Sequence, residues 1–417
     1  MFVSHVFLCF LGVEILVLIS PFDFSPWFSA SPCLRGDPLL WLWPRHAVLK
    51  ILVYQLHCCR MKKPLFLIVL LLGFALLAGA QSTSCRSRAG VGHGEVQSLP
   101  PVSTFSIVAI DPQNGDMGVA VASRYFSVGS VVPWAMANVG AVATQANVNV
   151  GYGQQAVDLL RQGQTAQQVL KKLLDDDKFE GKDGRQVAIV DAKGNVAAYT
   201  GPNAPKWAGD RQGKTWSAQG NILVGAQVPE AMGKAFEETQ GELAEKLFAA
   251  LKAGDGAGGD SRGRQSASML VVRKGGGRNI NNDRYIYINV DDSPDPFKEL
   301  RRLLDLNLSY NYGDQMYKAF AANDLLRARA AAQRALTYSP NNANTHMQLG
   351  FLNYALGDKT ASLEEFSKAR IIRPDDFVKR WQDEVDSPQF KPMRNDQDFM
   401  KKLFPPNGVP PAAAPKN

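Results

Sequence analysis

Thr104-Phe105-Ser106-Ile107-Val108-Ala109-Ile110, Asp111-Pro112-Gln113-Asn114-Gly115 and Met117-Gly118-Val119-Ala120-Val121-Ala122-Ser123 form the stretch that decides the fold. Two apolar runs flank a Pro/Asn/Gly turn signal, which predicts an antiparallel hairpin. Both runs are almost continuously apolar, as expected of strands buried on both faces. Downstream, residues 130–137 and 141–147 flank Asn138-Val139-Gly140 and predict a second hairpin.

Two helices follow, one over residues 154–162 ending at Gly163, the next opening on Thr165 with Gln168 as a capping box. The second helix carries Val169, Leu170, Leu173 and Leu174 on one face. Strands are predicted at 186–190 and 196–200 and just before Gly220-Asn221. Helices follow at 230–238 and 242–252, then strands at 266–273 and 284–290. Paired helices between blocks of hairpins do not make a parallel βαβ sheet. They predict an α+β fold over residues 104–306: two packed antiparallel sheets with a helix layer outside each, a four-layer αββα sandwich.

Beyond a helix at 296–306 the pattern becomes a repeat. Pro340 and Pro374 stand 34 residues apart, as do Ala335 and Ala369, Asp324 and Asp358, and Phe320 and Tyr354. That is the tetratricopeptide period, and Leu349-Gly350, Phe366 and Ala369 occupy its small and aromatic positions. Residues 307–404 therefore read as a small all-α helical-repeat domain. Two copies are fewer than such arrays need to stand alone, which predicts docking against the sandwich or capping by residues 378–404. Residues 405–417 read as a disordered Pro/Ala tail.

The first hundred residues are of another kind. Met61-Lys62-Lys63, an apolar run over 65–77 and Ala78-Gly79-Ala80 have the layout of a secretory signal peptide at 61–80, with Gln81 first in the mature chain. The expected location is periplasmic or secreted, with no membrane span in the mature chain. Residues 81–103, rich in Ser, Gly and Pro, read as a linker. Residues 1–60 read as an upstream segment ahead of the true start at Met61. The competing reading is a membrane anchor over residues 3–19, with Glu14 mid-span at a cost of about 2.5–3.5 kcal/mol. Cys85 is the one cysteine after residue 80, so the mature chain makes no internal disulfide.

The formal charge of +7 is modest and lies in the flanking regions, which argues against nucleic acid as a partner. No histidine lies between His93 and His346 and no cysteine after Cys85. A Ser-His-Asp triad, a Cys-His pair or a His/Cys metal site is thereby excluded from residues 104–306. Gly254 to Gly263 lacks the GxxxxGK[ST] pattern of a phosphate loop. No cofactor is implied. A hydroxyl nucleophile here needs an amine, a lysine or a carboxylate as its base.

The opening hairpin resembles the threonine-first hairpin of the N-terminal-nucleophile (Ntn) hydrolases and proteasome-type subunits. A closer resemblance is to the bacterial family called domain of unknown function 1028. It rests on Thr104 to Ala109, Gly118 to Arg124, Val142-Ala143-Thr144-Gln145-Ala146, Trp207-Ala208-Gly209, Ala218-Gln219-Gly220-Asn221, Gly259-Asp260 and Arg262-Gly263-Arg264-Gln265-Ser266, and covers residues 104 to about 306. The resemblance implies Thr104 as nucleophile, its own α-amine as base, and Ser123 and Arg124 beside it. Proteasome-type sites place a lysine on the third strand. Val131-Val132-Pro133-Trp134 offers none, so Arg124 would have to substitute, and the amine needs a second cut after Ser103.

Thr144, Gln145, Gln219 and Asn221 are candidates to orient a substrate amide or to satisfy buried backbone. Asp260 and Arg262, on a glycine loop with Arg264, are candidates to bind an anion or to form a solvated turn. The expected function is an exported amide-bond hydrolase acting on a small amide or peptide, as a homo-oligomer. The alternative is a non-catalytic ligand- or cell-wall-binding scaffold whose repeats recruit a protein partner.

Overall fold

A computed structural model of the chain describes residues 6–10, 13–17 and 104–405. Strands β1 (Val6–Phe10) and β2 (Val13–Val17) pair antiparallel as a unit of their own. The segments read as signal peptide and linker, and the tail beyond residue 405, lie outside the described residues.

From residue 104 the chain forms two antiparallel sheets. The first has the order β12 (Arg284–Val290), β11 (Ser266–Val272), β4 (Met117–Ser123), β3 (Thr104–Ile110), β10 (Trp216–Asn221), β9 (Gly209–Gln212). The second runs β5 (Pro133–Met136), β6 (Gly140–Ala146), β7 (Arg185–Asp191), β8 (Val196–Thr200). Side chains alternate between faces along a strand. Val108 and Ile110 of β3 and Val119 and Val121 of β4 share one core with Ala141, Ala143, Ala188 and Val190 of the second sheet. Phe105, Ile107, Ala120 and Ala122 point the other way, onto helices α3 (Gln227–Glu238) and α4 (Leu243–Gly256). Val142, Val187 and Ile189 meet α1 (Gly151–Arg161) and α2 (Ala166–Asp176) on the outside of the second sheet. Each fully buried Val, Leu or Ile contributes about 1.5–3 kcal/mol, so these cores are the main driving force.

The predicted hairpin is found with the predicted bounds, and Thr165 with Gln168 forms the capping box that opens α2. Two differences have simple causes. Strand β9 escapes a hydrophobic reading because Gly-Asp-Arg-Gln is an edge strand with no apolar position. The helix expected to end at residue 306 is α5 (Pro296–Ala321), 26 residues long. Its apolar positions thin through Ser309, Tyr310 and Asn311, yet it runs on because it serves two cores. Leu300, Leu304 and Leu308 bury against the sheet–helix core, and Met316 and Ala319 bury among the helices that follow.

Those helices are α6 (Leu325–Tyr338), α7 (Ala343–Ala355), α8 (Lys359–Ile372), α9 (Phe377–Val385), α10 (Lys391–Asn395) and α11 (Gln397–Leu403). Asp324, Asn342 and Asp358 cap α6, α7 and α8 through side-chain oxygens. Phe351 and Phe366 of the paired α7 and α8 are covered by Phe377, Trp381, Phe390 and Phe404 from the last segment. On the other side, Tyr312 of α5 and Tyr285 of β12 each donate a hydrogen bond to Glu242, both at 2.7 Å. The helical region is thus closed by its own C-terminal segment at one end and joined to the sheet domain at the other.

Candidate functional site

Both faces of β3 are buried, so apolar pattern alone does not fix its register. Polar residues do. Thr104 and Ser106 lie two apart and face the second sheet, as do Ser217 and Gln219 across on β10, in a register that pairs Gln219 with Ser106 and Asn221 with Thr104. The Ser106 hydroxyl donates to Gln145 Oε1 at 2.7 Å and accepts from Gln219 Nε2 at 2.7 Å. Ser217 donates to Gln219 Oε1 at 2.9 Å. Gln145 Nε2 donates to Gln186 Oε1 at 2.8 Å and to the Thr104 carbonyl at 3.4 Å. Gln186 in turn donates to the Gly220 carbonyl at 2.9 Å and accepts from Asn221 Nδ2 at 3.1 Å. This buried seam stitches the two sheets together at one end of the strands. Its members are hydroxyls and carboxamides, so it carries no net charge.

The Thr104 hydroxyl, fully buried, donates to Ser123 Oγ at 3.3 Å across the β3–β4 pair. Ser123 also lines a cleft of about 590 Å³ at the ends of these strands, together with Arg124, Asp255, Asp260, Arg264, Phe105 and Phe297. Asp260 is a clamp. It accepts from the Arg124 backbone N–H at 3.0 Å, from the Arg262 backbone N–H at 2.9 Å, and from Arg262 Nε and Nη2 at 3.2 and 2.9 Å. Asp255 accepts from Arg264 Nε at 2.5 Å and Lys252 Nζ at 3.0 Å. Gly258, Gly259 and Gly263 hold the connecting loop at φ of +115°, +55° and +104°, a region glycine alone adopts without strain.

The sequence candidates therefore fall in two groups. Thr104, Ser123, Gln145, Gln219 and Asn221 meet at the seam, whereas Arg124 and Asp260 line the cleft, with Arg262 bound to Asp260 behind it and Ser123 belonging to both groups. Thr144 joins neither. Like its neighbour Val142 it sits on the helix-facing side of β6, where its hydroxyl donates to the Asn149 carbonyl at 3.2 Å. Ser106, Ser217 and Gln186 were missed by sequence reading, as were Asp255 and Phe297. For Ser106 and Ser217 the signal was present, since each stands two residues from another polar residue, Thr104 and Gln219, inside an otherwise apolar strand; Gln186 has no such partner along β7. Among the described residues no group of three or more His, Cys, Asp or Glu could hold a metal ion, and no helix is long and apolar enough to cross a membrane.

Residues 104–300 match a family model described as "family of unknown function (DUF1028)". The chain is similar to the crystal structure of protein SPO2555 from Silicibacter pomeroyi, which carries the same family model. That similarity amounts to 31% identity over 48% of this chain and 84% of the other, with a TM-score of 0.44. No curated protein matches the chain.

Proposed function

Because this chain belongs, through residues 104–300, to the family of unknown function DUF1028, we propose for it a function its family name leaves open: an exported amide-bond hydrolase of the Ntn type, matured by a cut between Ser103 and Thr104. The helix–sheet–sheet–helix order of residues 104–300 is what such a sandwich requires, and the helices after α5 are read as tetratricopeptide-like. One observation carries the proposal: Thr104 begins a central strand and its hydroxyl lies 3.3 Å from Ser123, which opens onto the cleft.

The seam around Thr104 supplies hydrogen bonds and no base, and residues 104–306 contain no imidazole or thiol. An α-amine freed at Thr104 fills that gap. Unperturbed α-amines titrate near 7.7–8.0, close to working pH, where a general base is most effective. In the proposed reaction Thr104 Oγ1 bonds to the substrate carbonyl carbon while its proton passes to the α-amine. The carbon–nitrogen bond then breaks, and that proton leaves with the amine product. Water attacks the resulting ester and gives a proton to the α-amine. That proton returns to Thr104 as the acid departs. Gln145 has both N–H bonds committed and fixes the carbonyl of Thr104, so its role is to hold the strand end still.

The test is turnover of a panel of N-acyl amino acid amides by the mature protein and by Thr104→Ser and Thr104→Ala. Activity kept in part by Thr104→Ser and lost by at least about a thousandfold in Thr104→Ala supports the reading. Equal turnover by wild type and Thr104→Ala refutes it.

A further inference from the structure

The cleft beside Ser123 has a chemistry of its own. Its two carboxylates are spent: the Asp260 side chain is 1% exposed and the Asp255 side chain 5%, each held by an arginine. What faces the opening is cationic. Arg124 is exposed and takes part in no ion pair among the described residues. Its backbone N–H is pinned by Asp260, so the start of its side chain is fixed while its guanidinium is left to solvent. Arg264 and Lys252 stand across Asp255 with side chains about half exposed, 47% and 55%. Beneath them the apolar part of the wall is narrow, formed by the edges of Phe105 and Phe297, 3% and 2% exposed, together with Pro294 and Pro296. Phe105 and Phe297 stack with ring centroids 6.3 Å apart, and Lys252 Nζ lies 5.2 Å from the Phe297 ring centroid.

We infer that this cleft binds a small organic carboxylate carrying an apolar or aromatic side chain, of the kind found at the C-terminal end of a short acylated peptide. The guanidinium of Arg124 takes the carboxylate as a two-pronged partner. The side chain of the ligand lies against Phe297 and Phe105, and the buried aspartates hold the loop and its arginines in place. A bare inorganic anion would satisfy the cations and leave the apolar part of the wall wet. A neutral amide would cover that part and leave Arg124 unanswered. The cleft volume of about 590 Å³ suits a ligand of this size. The inference goes beyond the hydrolase reading, since binding needs no nucleophile and no cut before Thr104.

The experiment is calorimetric titration of the full chain and of Thr104→Ala with N-acetyl-L-phenylalanine, N-acetyl-L-phenylalaninamide and inorganic phosphate. Arg124→Ala and Arg124→Lys are titrated in parallel. The expected result is saturable binding of the acid, about tenfold weaker binding of the amide and of phosphate, and about tenfold loss in Arg124→Ala with partial recovery in Arg124→Lys. Affinity should fall as salt rises, because the partner cation is exposed. Thr104→Ala should bind as wild type does, which separates this site from the catalytic proposal. Amide binding as tight as acid, phosphate binding as tight as acid, an unchanged affinity in Arg124→Ala, or no saturable binding of the acid would each overturn the inference.

Discussion

Thr104 and Ser123 face each other across neighbouring central strands with their hydroxyls 3.3 Å apart, one buried in the seam between the sheets and the other at the wall of an open cleft. That pair is the point where the interior of the fold meets solvent-filled space. Substituting Ser123 tests its weight. Ser123→Ala removes the acceptor of the Thr104 hydroxyl and is expected to lower turnover more than it lowers stability, which should change by about 1 kcal/mol. Urea unfolding and steady-state kinetics on the same preparation read the two effects separately.

The seam itself makes a sharper stability prediction. Gln186 joins the sheets by donating to the Gly220 carbonyl and accepting from both Gln145 and Asn221. Gln186→Leu keeps the volume and strands those buried groups, at an expected cost of about 1–3 kcal/mol. An unfolding midpoint within error of wild type would show that the network does not hold the sheets together.

His346 gives the helical region a pH dependence. Its Nδ1 lies 2.5 Å from Glu365 Oε2 and its Nε2 2.8 Å from the Pro340 carbonyl, so both nitrogens face acceptors, an arrangement that favours the protonated ring. Burial alone would lower its pKa, but the Glu365 carboxylate and the Pro340 carbonyl outweigh burial and hold it above the ordinary value of 6.5. Lys368, which pairs with the other Glu365 oxygen, opposes this weakly. Burial would raise Glu365, yet His346 and Lys368 bring it below its ordinary 4.5. The folded-state pKa of His346 is raised, so its contribution is complete below 6.5 and fades as pH climbs through the raised value. That of Glu365 is depressed, so its contribution is complete above 4.5 and fades as pH drops through the lowered value. A melting-temperature profile should therefore decline on the alkaline side of 6.5, and His346→Gln should flatten that limb.

Gly350 sets how closely α7 and α8 approach. A Cβ there would lie 2.8 Å from the Phe366 ring, which is itself buried with no room to withdraw. Gly350→Ala is expected to cost about 1–3 kcal/mol through overpacking. Thermal melts should show the loss, and Phe366→Leu should relieve part of it in the double variant.

Much of this architecture was legible in the residues. The Thr104–Ile110 and Met117–Ser123 hairpin could be read because a turn signal separates two apolar runs, and α2 because Thr165 and Gln168 form its cap. Strand β9 could not, since an edge strand of Gly-Asp-Arg-Gln owes its form to pairing with β10 rather than to its own pattern. The length of α5 was hidden for a related reason: its two halves bury against different cores, so no single apolar stripe runs along it. At the site, Thr104, Ser123, Gln145, Gln219 and Asn221 were found by motif, while Gln186 becomes meaningful only when the sheets face each other. Thr144 shows the limit of motif reading, because adjacent strand residues point to opposite faces and only Gln145 reaches the seam.

The central claim is a free amine on Thr104, and the N-terminus of the protein isolated from its own host tests it most directly. Intact mass and N-terminal sequencing of protein recovered from that host should find a chain that begins at Thr104. A chain that begins at Gln81 or earlier, and that hydrolyses amides no faster than its Thr104→Ala variant, would contradict the account.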